Sequence, residues 1–247
     1  MSHSRRRMRA LPVAGGFVAV LVAVGLAWWT GLVQVNDPSR DRFPVRGVDV
    51  SRYQGSIDWP VLAAQGVEFA FIKATEGSSW VDPAFATNLA GATGSGLRTG
   101  AYHFFSFESP GAGQAENVVA TVRVQPDQLP VAVDVAFYGG FWVDQPPVDE
   151  VRRELSALLE RLDGHYPTPA ILYTTGEVYN RYIVGAFPGV EVWIRDVWRQ
   201  PSLSDGRAWT FWQFSDRYRL DGYRGEETFI DLDVYAGSRT EWERYRR

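Results

Sequence analysis

The chain has 247 residues, 45% of them apolar and 14% aromatic, with a net charge of −4. This composition excludes a disordered chain and suffices for one well-buried domain plus a tail, while the acidic balance excludes nucleic acid as the main partner, which would need a basic face. There is no cysteine and only three scattered histidines (His3, His103, His165), so a thiolate zinc site is excluded and a histidine-based metal centre is not expected.

At the N-terminus, Arg5, Arg6, Arg7 and Arg9 precede an uncharged run over 10–36, long enough to cross a bilayer core at about 1.5 Å per residue. Trp28 and Trp29 lie near its outer end, where interfacial aromatics collect, and the arginines hold the preceding tail in the cytoplasm. The expected layout is a basic cytoplasmic tail (1–10), a signal anchor (11–35), a linker (36–43) and an extracytoplasmic domain (44–247). The alternative is secretion after cleavage of a signal peptide, although no good Ala-x-Ala site precedes Asp37.

From residue 44 onward, short apolar runs alternate with helix-like segments, the pattern of an α/β protein with parallel strands. Strands are expected over 45–50, 69–74, 99–104, 131–135, 170–174, 190–194, 210–214 and 229–234. Helices are expected over 59–65, 83–95, 113–124, 148–162 and 177–183; in the fourth, Val151, Leu155, Leu158, Leu159 and Leu162 form one apolar stripe. No long helix separates the last three strands, and 216–228 reads as a loop or hairpin connection. Eight strands in about 190 residues suit a barrel lacking its last helices better than a complete eightfold β/α barrel of about 250 residues. An open doubly wound sheet is the structural alternative, but the first strand is followed by Gly47-Val-Asp-Val-Ser rather than a glycine-rich phosphate turn.

In a parallel barrel, chemistry collects at the C-terminal ends of the strands. Those ends carry Asp49, Lys73 and Glu76, Tyr102 and His103, Asp134, Tyr173, Arg195 and Asp196, Gln213, then Asp231 and Asp233. Acids with aromatics (Tyr102, Tyr173, Trp193, Trp212) suit a sugar: rings stack on pyranose faces, and carboxylates act as acid, nucleophile or stabiliser of an oxocarbenium ion. No tight His/Asp ligand set accompanies them, so neither a metal nor another cofactor is expected.

The motifs now assemble. Gly47-Val-Asp-Val-Ser-Arg-Tyr-Gln-Gly-Ser-Ile-Asp-Trp59 strongly resembles the opening of glycoside hydrolase family 25, the muramidase-type lysozymes. Phe71-Ile-Lys-Ala-Thr-Glu-Gly77 with Asp82-Pro-Ala-Phe85, Gly100-Ala-Tyr-His-Phe104, Gln114-Ala115, Leu129-Pro130, Ile171-Leu-Tyr-Thr174, Phe211-Trp-Gln213 and Ile230-Asp-Leu232 continue the resemblance in order. It implies a (β/α)5(β)3 barrel that cleaves the β-1,4 bond between N-acetylmuramic acid and N-acetylglucosamine in peptidoglycan without a cofactor; separately, a monomer is expected. By resemblance, Asp49 is the first-strand active-site aspartate, Asp134 opens the Asp-x-Glu pair of the fourth strand, and Asp231 is the aspartate of the last strand. Tyr102 and Tyr173 resemble tyrosines lining the sugar site, and Lys73, Glu76 and Gln213 match further motif positions.

The pattern breaks at Asp134-Val135-Ala136, where the resemblance implies a glutamate that protonates the leaving oxygen. Residues i and i+2 of a strand share a face about 6.6 Å apart along it, so both carboxylates would meet one linkage. Alanine transfers no proton, and such help is worth about 10²–10⁴ in rate. Asp144, Glu108 and Glu76 are the candidate substitutes. Arg195 is a second departure, standing where the family usually has a small residue. Two functions stay open: a muramidase, or a catalytically impaired peptidoglycan-binding protein that kept the cleft.

Overall fold

The computed structural model describes residues 25–28, 30–31 and 33–245. They fall into two compact units, Met1–Val35 and Asn36–Arg247. Most of the expected anchor therefore lies outside the described residues; among the described residues, no helix is long and apolar enough to cross a membrane.

The second unit contains, in chain order, strands β1 (Arg46–Val50), β2 (Ser56–Ile57), β3 (Phe69–Glu76), β4 (Trp80–Val81), β5 (Arg98–Phe104), β6 (Ala132–Val135), β7 (Ile171–Thr175), β8 (Val192–Arg195), β9 (Phe211–Tyr218), β10 (Tyr223–Arg224) and β11 (Ile230–Tyr235). The sheet runs β1-β11-β9-β8-β7-β6-β5-β3 and closes through β1 and β3, with β4 appended to β3. These eight barrel strands are the eight expected from the sequence. Helices Trp59–Ala64, Phe85–Gly94, Gly111–Thr121 and Val148–Asp163 fill the first four connections, and Gly176–Val178 with a π-helical turn Tyr179–Ile183 fills the fifth. No helix separates β8, β9 and β11, so the expected pattern of five β/α units and three strands is present.

Alternation along the strands sorts the side chains into two cores. Val48, Ile72, Val133, Leu172, Ile194 and Trp212 point outward to the helices. Phe69, Phe71, Ala132, Ile171, Trp193 and Phe211 fill the barrel interior. A Cβ on Gly100 would come within 2.6 Å of the Phe71 ring, so glycine there makes room for an aromatic filling. Val151, Leu155, Leu158, Leu159 and Leu162 are the buried face of helix Val148–Asp163, as their spacing predicts; Asp149 and Glu150 at its start and Arg161 at its end complement the helix dipole.

One expectation needs correction. The strands are parallel through β9, but β11 is antiparallel to both β1 and β9. A short hairpin connection after β9 leaves no room for the crossover that a parallel strand requires. A second feature was not anticipated: helix Arg239–Arg244 plugs the barrel beyond β11, its buried Trp242 packing on Phe69 at 5.2 Å between ring centroids. Arg98 lies over the Trp242 ring and donates to the carbonyls of Trp242 and Tyr245. Within 36–43, expected as linker, Phe43 is buried against Trp209 and Trp212.

Candidate active site

The site begins with the register. Asp49 stands opposite Asp231 across β1 and β11, and Asp134 opposite Tyr173 across β6 and β7. Because β11 is antiparallel, Asp231 reaches this end of the barrel from the beginning of its strand, not from its end as expected. Tyr102 faces the same space, close enough to feel the charges of Asp49, Asp134 and Asp231. The structure thus brings together Asp49, Asp134, Asp231, Tyr102 and Tyr173.

A buried relay orders the floor. Tyr173 Oη donates to Gln213 Oε1 at 2.8 Å, and Gln213 Nε2 donates to Asp49 Oδ2 at 2.7 Å. Gln213 is 2% exposed and uses both ends of its amide inside the protein, so it holds Asp49 in place instead of meeting a ligand directly. Trp193 Nε1 donates to Asp233 Oδ1 at 2.7 Å, and Asp233 in turn lies within hydrogen-bonding reach of Asp49. Two expected sugar-stacking rings are therefore reassigned. Trp193 is interior filling that orients a carboxylate, and Trp212 points outward among Phe43, Trp209 and Phe214.

Crowding carboxyls in a poorly solvated floor favours their neutral forms. Burial, then the charge of Asp233, pushes Asp49 well above the usual carboxylate range. Burial followed by the charge of Asp49 does the same to Asp231. Asp233 is also raised by burial, against the opposing bond from Trp193. Burial pushes Asp134 up to about 7, although Lys73 and Arg195 pull the other way. Its buried Oδ1 has no hydrogen-bond partner, which adds to the cost of ionising it. Tyr102 and Tyr173 are raised by burial first and by the surrounding carboxylates second, so both remain phenols able to donate.

The rim is more varied. Lys73 bonds Glu76 at 2.8 Å and lies over the rings of Trp80 and Phe104, at 5.0 and 4.9 Å. Asp144 and Glu108 are exposed, and Asp196, expected at a strand end of the site, instead caps the turn at Trp198 and Arg199. His103 is fully buried behind the rim: Thr75 Oγ1 donates to its Nδ1 at 2.8 Å and its Nε2–H donates to Gln114 Oε1 at 3.0 Å. Gln114 then fixes the loop over β5 through Ser106 and Ser109. Burial holds the His103 imidazole down to about 4, hence neutral. Its role is to secure the loop.

Ala136 follows β6 on the inward side: Ala132 is interior, Asp134 faces the site, and Val133, Val135 and Phe137 belong to the outer core. It is half-buried, and continuing the alternation of β6 by one residue puts it on the same face as Asp134. Val135 pairs with Thr174, and Thr175 with Arg195, which places Ala136 and Arg195 in one row two strands apart. Arg195 Nη2 donates to Asp216 Oδ2 at 2.5 Å. Sequence reasoning missed Asp216, having assigned it to a loop. Register shifts in the β9–β11 pairing break the alternation that would have marked it as strand. Taken as chemistry, the arrangement offers a sugar several carboxyls of mixed protonation and the phenol donor of Tyr102; among the described residues, no group of three or more metal-ligating side chains is gathered.

Comparison with known proteins agrees with this geometry. The profile of glycosyl hydrolases family 25 matches residues 48–223. Uncharacterized protein YegX of Escherichia coli K12 is 33% identical over 79% of this chain and 71% of its own length. Lysozyme M1 of Streptomyces globisporus is 30% identical over 80% of this chain and 70% of its own. Among solved structures, a family 25 glycosyl hydrolase from Bacillus anthracis superposes with a TM-score of 0.81 at 46% identity, covering 86% of this chain and 98% of that one. The bacterial lysozyme of Streptomyces coelicolor superposes at 0.72 with 28% identity, covering 80% and 94%. With its barrel topology, its ring of carboxyls and most of its length matched by the family profile, the chain belongs to glycosyl hydrolases family 25.

Proposed function

We propose that the barrel acts on peptidoglycan glycan strands as an N-acetylmuramidase, cleaving the β-1,4 bond between N-acetylmuramic acid and N-acetylglucosamine, with its acid position held by Ala136. The observation that carries this reading is the convergence of Asp49, Asp134, Asp231, Tyr102 and Tyr173 at one end of the barrel. Ionised carboxyls in this cluster stabilise positive charge developing on the sugar ring, and the phenol of Tyr102 donates to its oxygens, while the Tyr173 hydroxyl stays committed to Gln213. Asp134, titrating at about 7, is protonated in a large share of molecules at neutral pH and is the carboxyl beside Ala136. Without a glutamate at 136, cleavage is slow and binding outlasts it, which is the specific reason to keep a glycan-binding role as the second reading.

The test compares the wild type with Ala136→Glu on purified peptidoglycan, scoring new reducing ends. A glutamate at 136 would also lie in reach of Arg195, which would hold it ionised and spoil it as an acid. The comparison therefore includes Ala136→Glu with Arg195→Ala. At saturating substrate the double variant should cleave about 10²–10⁴ faster than the wild type, the usual worth of general acid–base help. A wild type that already matches the double variant sinks the reading of Ala136 and places the acid elsewhere. We further propose that residues 11–35 tether the barrel outside the cell membrane, as their apolar run between arginines and a polar segment supports.

A further inference from the structure

Arg195 is a cation placed in a site otherwise built of acids. Trp193, two residues earlier on β8, fills the barrel interior, so Arg195 projects to the same inward face at the strand's C-terminal end. Its side chain is 34% exposed, in contact with both the floor and solvent. Asp216 accepts from one of the guanidinium's five N–H donors, and among the described residues no second acceptor lies within hydrogen-bonding distance. The floor carboxyls Asp134 and Asp231 are near enough to feel its charge but do not bond it. Across the row, beyond Thr175, stands Ala136, whose methyl group cannot neutralise the cation. Thr175 of β7 stands between them in the row, its hydroxyl taken up by the Val178 amide, so it offers the guanidinium no partner.

An exposed guanidinium with free donors recognises an oxyanion, and its planar fork suits a carboxylate best. We propose that Arg195 is a specificity-determining residue that binds a carboxylate of the glycan strand and so selects muramic-acid-containing chains over neutral ones. The inference rests on the peptidoglycan reading above. Two sources supply the carboxylate. In peptide-free strands it is the lactyl group of N-acetylmuramic acid; in peptide-bearing strands that group is an amide, and the carboxylates lie on the stem peptide.

The test measures binding of three tetrasaccharides to the full-length chain by calorimetry: a peptide-free N-acetylglucosamine–N-acetylmuramic acid dimer of disaccharides, the same compound bearing stem peptides, and neutral chitotetraose. The wild type should bind at least one carboxylate-bearing ligand about tenfold more tightly than chitotetraose, the scale of a charge-assisted hydrogen bond. Arg195→Gln should abolish that preference, and a circular-dichroism spectrum and melting curve like those of the wild type show that the variant is folded. Arg195→Lys should keep part of the preference as a point charge, and added salt should weaken it. Preference for the peptide-free ligand identifies the lactyl carboxylate; preference for the peptide-bearing ligand alone identifies the stem peptide. Equal binding of all three by the wild type, an undiminished preference in Arg195→Gln, or equal losses for charged and neutral ligands would each overturn the inference and leave the cleft reading intact. Failure of all three ligands to bind overturns both.

Discussion

Ala136 and Asp134 stand side by side facing the cleft, yet only one of them can hold a proton. Asp134 is held at about 7, far above the 3.8 of an ordinary aspartate, chiefly by burial. Its folded-state pKa exceeds its unfolded value, so its stabilising contribution is present below about pH 4 and is lost as pH rises through 7. Asp134→Asn removes that penalty. Its melting temperature should exceed that of the wild type at pH 8 and converge with it near pH 4; a gap that does not widen with pH would show that the carboxyl is unstrained. Much of this scale was legible in the sequence, because Asp49, Asp134, Tyr102 and Tyr173 sit where strand ends and the family resemblance put them. For Gln213 a motif match gave no role, and only three-dimensional packing reveals that Tyr173 and Asp49 occupy both ends of its amide.

Elements carry a different kind of information. The positions of the barrel strands were readable from apolar runs, but not their direction: the period of two is the same for parallel and antiparallel strands. That ambiguity placed Asp231 at the end of its strand when it lies near the beginning. It also left Trp193 and Trp212 undivided, although one faces inward and the other outward. Between elements, His103 joins Thr75 on β3 to Gln114 on helix Gly111–Thr121, and through Gln114 to the loop at Ser106. Because its folded pKa of about 4 lies below the 6.5 of an ordinary histidine, its contribution is full above about pH 6.5 and is lost as pH falls towards 4. Unfolding curves recorded from pH 7 to 4 should show this loss, and His103→Gln should flatten it. An unchanged slope in the variant would assign the acid sensitivity to another group.

For the whole molecule, composition and the spacing of apolar runs conveyed a truncated barrel, because three strands without intervening helices leave a visible signature in chain length. The plug Arg239–Arg244 escaped notice because a six-residue helix has too few turns to display a periodic stripe. The proposed tether is tested on cells. Protease added to intact spheroplasts should remove the barrel while leaving a fragment of about the length of residues 1–43 in the membrane; a barrel that survives until the membrane is breached would refute an external location.

The bond from Trp193 to Asp233 has an optical consequence. An indole that is 2% exposed and hydrogen-bonded at 2.7 Å to a carboxyl reports on that carboxyl's ionisation through its emission. The chain thereby contains an internal fluorophore at the base of the cleft, wired through Asp233 to Asp49. Ten tryptophans emit together, so the difference between the wild type and Trp193→Phe isolates proton movement or ligand entry there as light, without a label and without turnover.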